Sequence, residues 1–444
     1  MGKSTLEEKV LTRGNLLALA VGNVIGGGIM TLTGIAIGVT GRSIVISLLL
    51  CSVLVLISSM PQFFAASTIR MNGGFYTQAA LFGGKYFGGL YAVLYITFFF
   101  GAALTALSFA DYVSAFLPGV NMRLVALLVL TVLVALNLLG IKVAAKVQYV
   151  IVGLLLLALL SFAGFGIGHV KSGFMQQPGW MLNGFGGVMS AAAIMSFASL
   201  GSASMVNFGR QCKNPTRDIP WAILVSSAIV MVIYVLVCFV ASGVFPIAHV
   251  ANQSLAVTAY EVLPYPLYLF FMVFGAMFSL VSSLNALLGW VTAPIVQACE
   301  DGWFPRVLGA RNKRYHTPHW VLLIIYVLAG AIIISGLNIR NIANLMDFQC
   351  NCLQTIICLA LIRMPFVIPA AWAKSKFHIN NKAYMAICIA GAGISALFCY
   401  YLVIELTKGE IIGAAIYIAI AALYPAIRLR MKKQVTIESS YEEA

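Results

Sequence analysis

Gly22-Asn23-Val24-Ile25-Gly26-Gly27-Gly28-Ile29 sets three consecutive glycines in the middle of an apolar run that extends from about residue 13 to 38. Each glycine costs a helix interior about 1 kcal/mol relative to alanine, so three together at the centre of an apolar helix need a reason. Two readings supply one. Small residues let neighbouring helices approach closely. Alternatively the segment is unwound, its freed carbonyls facing a cation and the N–H groups of the following half-helix facing an anionic group. Bare backbone at membrane depth survives only where it lines a cavity or is buried in protein, so the second reading makes the triplet a binding-site expectation. It is not a dinucleotide fingerprint, because no strand precedes it and no βαβ unit surrounds it.

Eleven further apolar runs accompany it, near 43–69, 86–116, 122–141, 146–168, 184–208, 220–243, 266–298, 319–338, 342–364, 383–406 and 409–427. About 20 apolar residues in helix cross the ~30 Å hydrocarbon layer of a bilayer, so the sequence predicts an all-α membrane protein with twelve transmembrane helices. Twenty-two of its 27 lysines and arginines fall in alternate gaps, leaving Arg42, Arg123, Lys171, Arg340 and Lys408 for the other side. Cytoplasmic loops retain Lys and Arg, which puts both termini in the cytoplasm of a multi-pass protein of the cell membrane. Composition agrees: 61% hydrophobic and 9% charged residues, with mean hydropathy +0.98, leave too little polar surface for a soluble globule of 444 residues. The net charge of +14 lies in short loops beside an anionic leaflet, and no basic arm or aromatic-basic stripe suggests nucleic acid. Residues 1–12 form a polar cytoplasmic segment without a cleavage site, 13–430 one transmembrane domain, and 431–444 a polar cytoplasmic tail. The gaps near 299–318 and 365–382 are connectors rather than folded units. The nine cysteines lie mostly inside apolar runs and read as buried free thiols; Cys350-Asn351-Cys352 offers no metal site.

A second weak point is Ser196-Phe197-Ala198-Ser199-Leu200-Gly201-Ser202-Ala203-Ser204 in the sixth span. Serines in a membrane helix can simply bond back to their own carbonyls, but this stretch lies five spans after the glycines. An odd offset inverts the second copy, which suits a five-plus-five inverted repeat, about 13–168 and 184–364, with broken helices 1 and 6 meeting at the midplane. Two peripheral helices follow at about 383–427.

Four motifs carry a family resemblance. Gly22 to Ile29 resembles the first-helix signature G-x-x-[IVM]-G-[SAG]-G-[IV] of the amino acid–polyamine–organocation (APC) transporters. Asn72-Gly73-Gly74-Phe75-Tyr76 resembles the P-x-G-G-x-Y after their second helix, without its proline. Lys213-Asn214-Pro215-Thr216-Arg217-Asp218-Ile219-Pro220 resembles their K-N-P-x-R-[DN]-[IV]-P loop after helix six, and Asp301-Gly302-Trp303-Phe304-Pro305 the D-G-x-[LF]-P after helix eight. The resemblance covers residues 13–305 and implies a solute transporter with alternating access, ten core helices and two peripheral ones.

It also implies a site. The substrate's α-carboxylate would meet Gly26, Gly27 and Gly28, with Val24, Phe197 and Leu200 offering carbonyls to its ammonium and the Phe197 ring occluding it; Ile25, Ala198, Ser199 and Gly201 complete the two breaks. Where some relatives carry a glutamate and a lysine linked to proton or sodium-like coupling, this chain has Ala203 and Leu155. Of the acids in apolar context, Asp111 and Glu405 lie near helix ends, whereas Asp347 shares a helix face with Asn351 and Gln354. That stripe reads either as a lining of the pathway or as a structural hydrogen-bond network. Asn285, Ser282, Ser283 and Trp290 in span eight read mainly as packing, with the pathway as the alternative.

No catalytic motif, cofactor fingerprint or metal-ligand set appears, so the chain is not expected to be an enzyme or to hold a cofactor. The expected partners are membrane lipids and a small amino acid or amine, moved by exchange, facilitated movement or ion coupling. A neutral small amino acid is favoured because no acid or base lies beside the two breaks. The alternatives are a cationic amino acid or polyamine exchanger, and a non-transporting receptor or scaffold with the same fold.

Overall fold

The computed structural model describes residues 11–26, 28–139, 141–431, 435–437 and 441–443. Gly27, most of the N-terminal segment and much of the tail lie outside the described residues.

The apolar runs become helices. α1 (Arg13–Val24) stops before the glycines, and the chain resumes as a π-helical turn, Gly28–Leu32, leading into α2 (Thr33–Thr40). α3 (Ile44–Thr68) is followed by the short α4 (Gly74–Gly83), α5 (Lys85–Leu94) and α6 (Phe99–Phe116), then α7 (Met122–Leu138) and α8 (Ile141–Ile167). The sixth run is α9 (Gly184–Ile194), α10 (Ser196–Leu200) and a 3₁₀ segment, Gly201–Phe208. α11 (Pro215–Gly243) starts on a proline, which the first helical position tolerates because its N–H would be unpaired there anyway. α12 (Ile247–Val250) and α13 (Leu255–Val262) form a short connector. The eighth run is α14 (Tyr265–Phe270), a π-helical stretch, α15 (Phe278–Trp290) and α16 (Thr292–Glu300). α17 (His319–Ser335), α18 (Ile339–Leu361), the short α19 (Met364–Val367) and α20 (Pro369–Lys374), α21 (Asn381–Glu405) and α22 (Lys408–Arg430) complete the chain.

Seven of these helical stretches are long and apolar enough to cross a membrane, and the bent pair Gly184–Ile194 and Ser196–Phe208, turned by 42°, would be an eighth. The surface explains the apolar excess. Leu124, Leu128, Val132 and Leu136 are exposed along one stripe of α7, whereas Ala126, Val129, Leu130 and Leu133 face inward. α22 likewise exposes Ile412, Ile416, Ile420 and Ile427 and buries Ala414 and Ala421. Large residues outside and small or polar ones inside is the partition expected when the solvent is lipid. α18 is the counterpart: its Asn344, Asp347, Gln349, Asn351 and Gln354 are all buried, so its low hydropathy reflects an interior position.

One departure from an all-helical chain appears. After α3 the backbone extends into β1 (Ile69–Met71), which pairs antiparallel with β2 (Tyr441–Glu443), Met71 opposite Tyr441. The tail, read as polar, therefore supplies partners for backbone groups beyond the end of α3.

The loops carrying the sequence motifs meet on this same face. Gly74 has φ +50 and a Cβ there would lie 2.6 Å from the Asn207 Cα, so only glycine lets the backbones approach while Phe75 N–H donates to Asn207 Oδ1 at 2.9 Å. Tyr76 donates to Asp301 Oδ2 at 2.8 Å, and Gln297 Nε2 to Asp301 Oδ1 at 2.9 Å. Burial, and then the Asp301 charge, pushes the Tyr76 phenol well above its ordinary range, so it remains a donor at any physiological pH. Arg210 pairs with Glu300 at 3.1 Å. Burial pushes the Cys212 thiol of the neighbouring loop up to about 12, in line with an inert buried cysteine.

Candidate substrate site

The two weak points of the sequence lie against each other. A Cβ on Gly28 would come within 2.8 Å of the Ala198 Cα, and one on Gly201 within 3.0 Å of Val24 Cγ2. Asn23 joins them: its Nδ2 donates to the Gly201 carbonyl and to Ser204 Oγ, both at 3.0 Å, while its Oδ1 accepts from Trp290 Nε1 at 3.0 Å. The indole can only donate, so it fixes which way the Asn23 amide points.

Ending α1 at Val24 leaves its last carbonyls without helical partners. Hydroxyls from other helices take them. Ser283 Oγ lies 3.0 Å from both the Gly22 and Asn23 oxygens, Ser282 Oγ 3.3 Å from Gly22 O, and the Tyr234 hydroxyl donates to Val24 O at 2.5 Å. Gln148 Nε2 in turn donates to Ser282 Oγ at 2.5 Å. The Gly26 N–H has no acceptor among the described residues. At the second break the serines serve their own segment in part: Ser204 Oγ donates to Gly201 O at 2.6 Å and Ser202 Oγ to Ser199 O at 3.4 Å, while Ser202 Oγ also lies 2.9 Å from Ser227 Oγ on α11.

A cavity opens between the breaks, with one wall from Asn23, Val24 and Gly28 and another from Phe197, Ala198, Leu200, Gly201 and Ser204. Phe75, Phe98, Leu287, Trp290, Leu353 and Ile357 supply its apolar remainder, and Trp290 meets Phe98 edge to face at 5.3 Å. Thr105, Ser283, Gln354, Tyr91 and Cys350 add polar atoms. None of its lining residues is an aspartate, glutamate, lysine, arginine or histidine.

Of the residues expected from the resemblance, Val24, Gly28, Phe197, Ala198, Leu200 and Gly201 line this cavity. Ile25 is buried outside it, and the position of a Gly26 Cβ is already filled by Ser283. Ser199 sits with Cys51, Oγ to Sγ 3.8 Å, and Gly27 lies outside the described residues. The Val24 carbonyl, expected to face an ammonium, already accepts from Tyr234. Asn285 is not in the lining; its Oδ1 accepts from Asn137 Nδ2 at 2.8 Å, between α15 and α7.

The polar stripe of α18 divides. Gln354 lines the cavity and exchanges hydrogen bonds with Gln62, at 2.9 and 3.2 Å, while donating to Ser58 O at 2.7 Å. Asn351 Nδ2 donates to Ser196 Oγ at 2.8 Å and to the Asp347 carbonyl at 2.9 Å. Asp347 lies outside the lining, fully buried, with neither carboxyl oxygen hydrogen-bonded among the described residues. Holding an ionised carboxylate at the bilayer centre costs about 2.5–3.5 kcal/mol or more. Glu405 instead pairs with Arg340 at 3.1 Å.

Sequence reading missed most of the aromatic and aliphatic half of the cavity, contributed by α4, the 3₁₀ turn Tyr95–Phe98, α15 and α18. Of the span-eight residues read mainly as packing with the pathway as the alternative, Ser283 and Trp290 line the cavity, while Ser282 and Asn285 do not.

The chain is similar to known membrane permeases. The family model described as amino acid permease matches residues 11–424. The branched-chain amino acid permease BcaP of Bacillus subtilis is 23% identical over 431 residues, covering 91% of this chain and 90% of that protein. A methylthioribose transporter of the same organism is 23% identical over 420 residues, 90% of each chain. The branched-chain amino acid permease BcaP of Lactococcus lactis is 24% identical over 359 residues, covering 73% and 76%.

Proposed function

Because the chain belongs to the amino acid permease family and is a multi-pass membrane protein, a transporter rather than an enzyme, we propose that it moves a neutral amino acid with a small or branched aliphatic side chain by alternating access. The observation that carries this is the cavity lining: broken backbone and amide groups at one end, apolar and aromatic side chains at the other, and no ionised side chain. An amino acid's charged head needs backbone groups such as the Gly26 N–H and half-helix ends. Its side chain gains by leaving water for apolar surface. A cationic side chain would lack a counter-charge, since Asp347 stands outside the lining. The relatives described as branched-chain amino acid permeases point the same way.

In this reading Gly26, Gly27 and Gly28 cradle the carboxylate, and Phe197 and Leu200 carbonyls serve the ammonium. Helical segments stand in each of the twelve runs, and residues 13–68, which count once by length, would extend ~84 Å as one straight helix, far beyond a bilayer. Gly41, with φ +74, divides them. The reading therefore takes twelve spans within 13–430, two inverted repeats with breaks in helices 1 and 6, two peripheral helices and both termini in the cytoplasm.

Counterflow in liposomes tests it. Protein loaded with unlabelled leucine, isoleucine, valine or alanine should draw in the labelled amino acid, whereas lysine, arginine, putrescine and glutamate should not exchange. Exchange of the cationic compounds alone would overturn the neutral assignment, and binding without exchange of any compound would favour a receptor.

A further inference from the structure

We propose that Asp347 is the proton-binding site that couples transport to a proton gradient, a step that deepens the reading above and rests on it. The carboxyl is fully buried and both oxygens lack a partner among the described residues. At this depth a bare carboxylate is held only at large cost, so the group persists with a proton or with a cation beside it. Its surroundings select the proton. α3 presents Cys51 and α18 itself presents Cys350. From α4, α5, the Tyr95–Phe98 turn, α6, α9, α10 and α21, which also pack on α18, no basic side chain or second carboxylate acts on it among the described residues, and the phenols of Tyr91 and Tyr95 face Cys350. No cluster of metal-ligating side chains exists among those residues either, and Asn351 turns its amide nitrogen toward this turn of helix, a donor that a metal ion cannot use.

Asp347 is nevertheless wired to the substrate site. Asn351, one turn on, reaches Ser196, the first residue of α10, and Cys51 reaches Ser199 on the same short helix. When the proton leaves for water, the O–H bond breaks and the carboxylate demands donors. The hydroxyls of Ser196 and Ser199 stand one hydrogen bond beyond Asn351 and Cys51, and in this proposal these are the donors recruited. Redirecting them displaces α10, whose Phe197, Ala198 and Leu200 form one wall of the cavity. Taking a proton on one side and releasing it on the other thereby biases the broken helix in step with substrate. No other bond changes.

The full-length protein in liposomes tests this, with radiolabelled leucine and, in parallel, alanine as probes. An inward proton gradient should drive accumulation, up to about ten-fold per pH unit for one-to-one symport, and a trapped pH dye should record proton entry that depends on the amino acid. Asp347→Asn, which keeps the shape of the neutral acid, should lose both signals while counterflow at equal pH stays within about two-fold of wild type. Gradient-driven accumulation intact in Asp347→Asn overturns the proposal. So does amino acid entry without proton entry in the wild type, or accumulation driven by a sodium gradient at equal pH. The wild-type dye measurement decides even where Asp347→Asn fails to fold. Failure of the underlying reading looks different, because the wild type would then show no counterflow of any amino acid.

Discussion

The two breaks solve the same problem with different materials. At the first, glycines have no side chains with which to satisfy the carbonyls that α1 leaves, so Ser282, Ser283, Tyr234 and, through Asn23, Trp290 are drawn in from α15 and α11. At the second, Ser202 and Ser204 bond back to carbonyls three residues earlier in their own segment. The first break thus relies on side chains of other helices alone, whereas the second adds hydroxyls of its own to the bonds it receives from Asn23 and Ser227. Substitutions far from the first break in sequence should damage it, whereas the second should tolerate loss of its own hydroxyls.

The largest effect is expected at the glycines. Gly27→Val should abolish uptake and binding while the protein still inserts if the triplet cradles the carboxylate as proposed, because a β-branched side chain would then fill the anion position. Near-normal binding on matched amounts of folded protein would leave close packing as the role of the triplet. Gly28→Ala should come next, reducing transport by about ten-fold or more, as overpacking costs 1–3 kcal/mol. Pairing it with Ala198→Gly should restore part of the loss, since the two Cβ positions compete for one space. No recovery would mean that the breaks do not meet there.

Trp290→Phe keeps the ring and removes the donor to Asn23 Oδ1, which should cost about 1–3 kcal/mol of stability for a buried acceptor left unpaired. Thermal melting in detergent and the half-saturation concentration for counterflow should both worsen. The smallest effect is expected for Ser202→Ala, about 1 kcal/mol, because its bonds to Ser199 O at 3.4 Å and to Ser227 Oγ at 2.9 Å are both between neutral groups. A Ser202→Ala loss equal to that of Trp290→Phe would erase the distinction between the breaks.

Much of the architecture was legible. Helix positions followed from apolar runs of bilayer length, and the loops from Gly, Pro and basic residues between them. Val24, Gly28, Phe197, Ala198, Leu200 and Gly201 could be singled out because a break in an apolar helix is visible as a local excess of small residues. Phe98, Leu287, Leu353 and Ile357 could not. Each stands in an apolar helix where a cavity-facing residue and a lipid-facing one look alike, since both are surrounded by other apolar residues. Asn285 shows the converse: a polar residue in span eight that contacts Asn137 on α7.

Sequence by itself determined the lipid solvent, the apolar helices and the two breaks, because hydropathy and clusters of small residues act locally and register in the order of residues. Tertiary structure alone decided which groups meet: Trp290 with Asn23, Tyr234 with Val24, Asn351 with Ser196, and the tail with β1. It also decided that the Asp347 carboxyl stands without a hydrogen-bond partner among the described residues while Gln354, two turns on, finds Gln62. Those outcomes depend on the rotation of each helix about its axis, and in a chain apolar on both its lipid and core faces only side-chain packing between helices fixes that rotation.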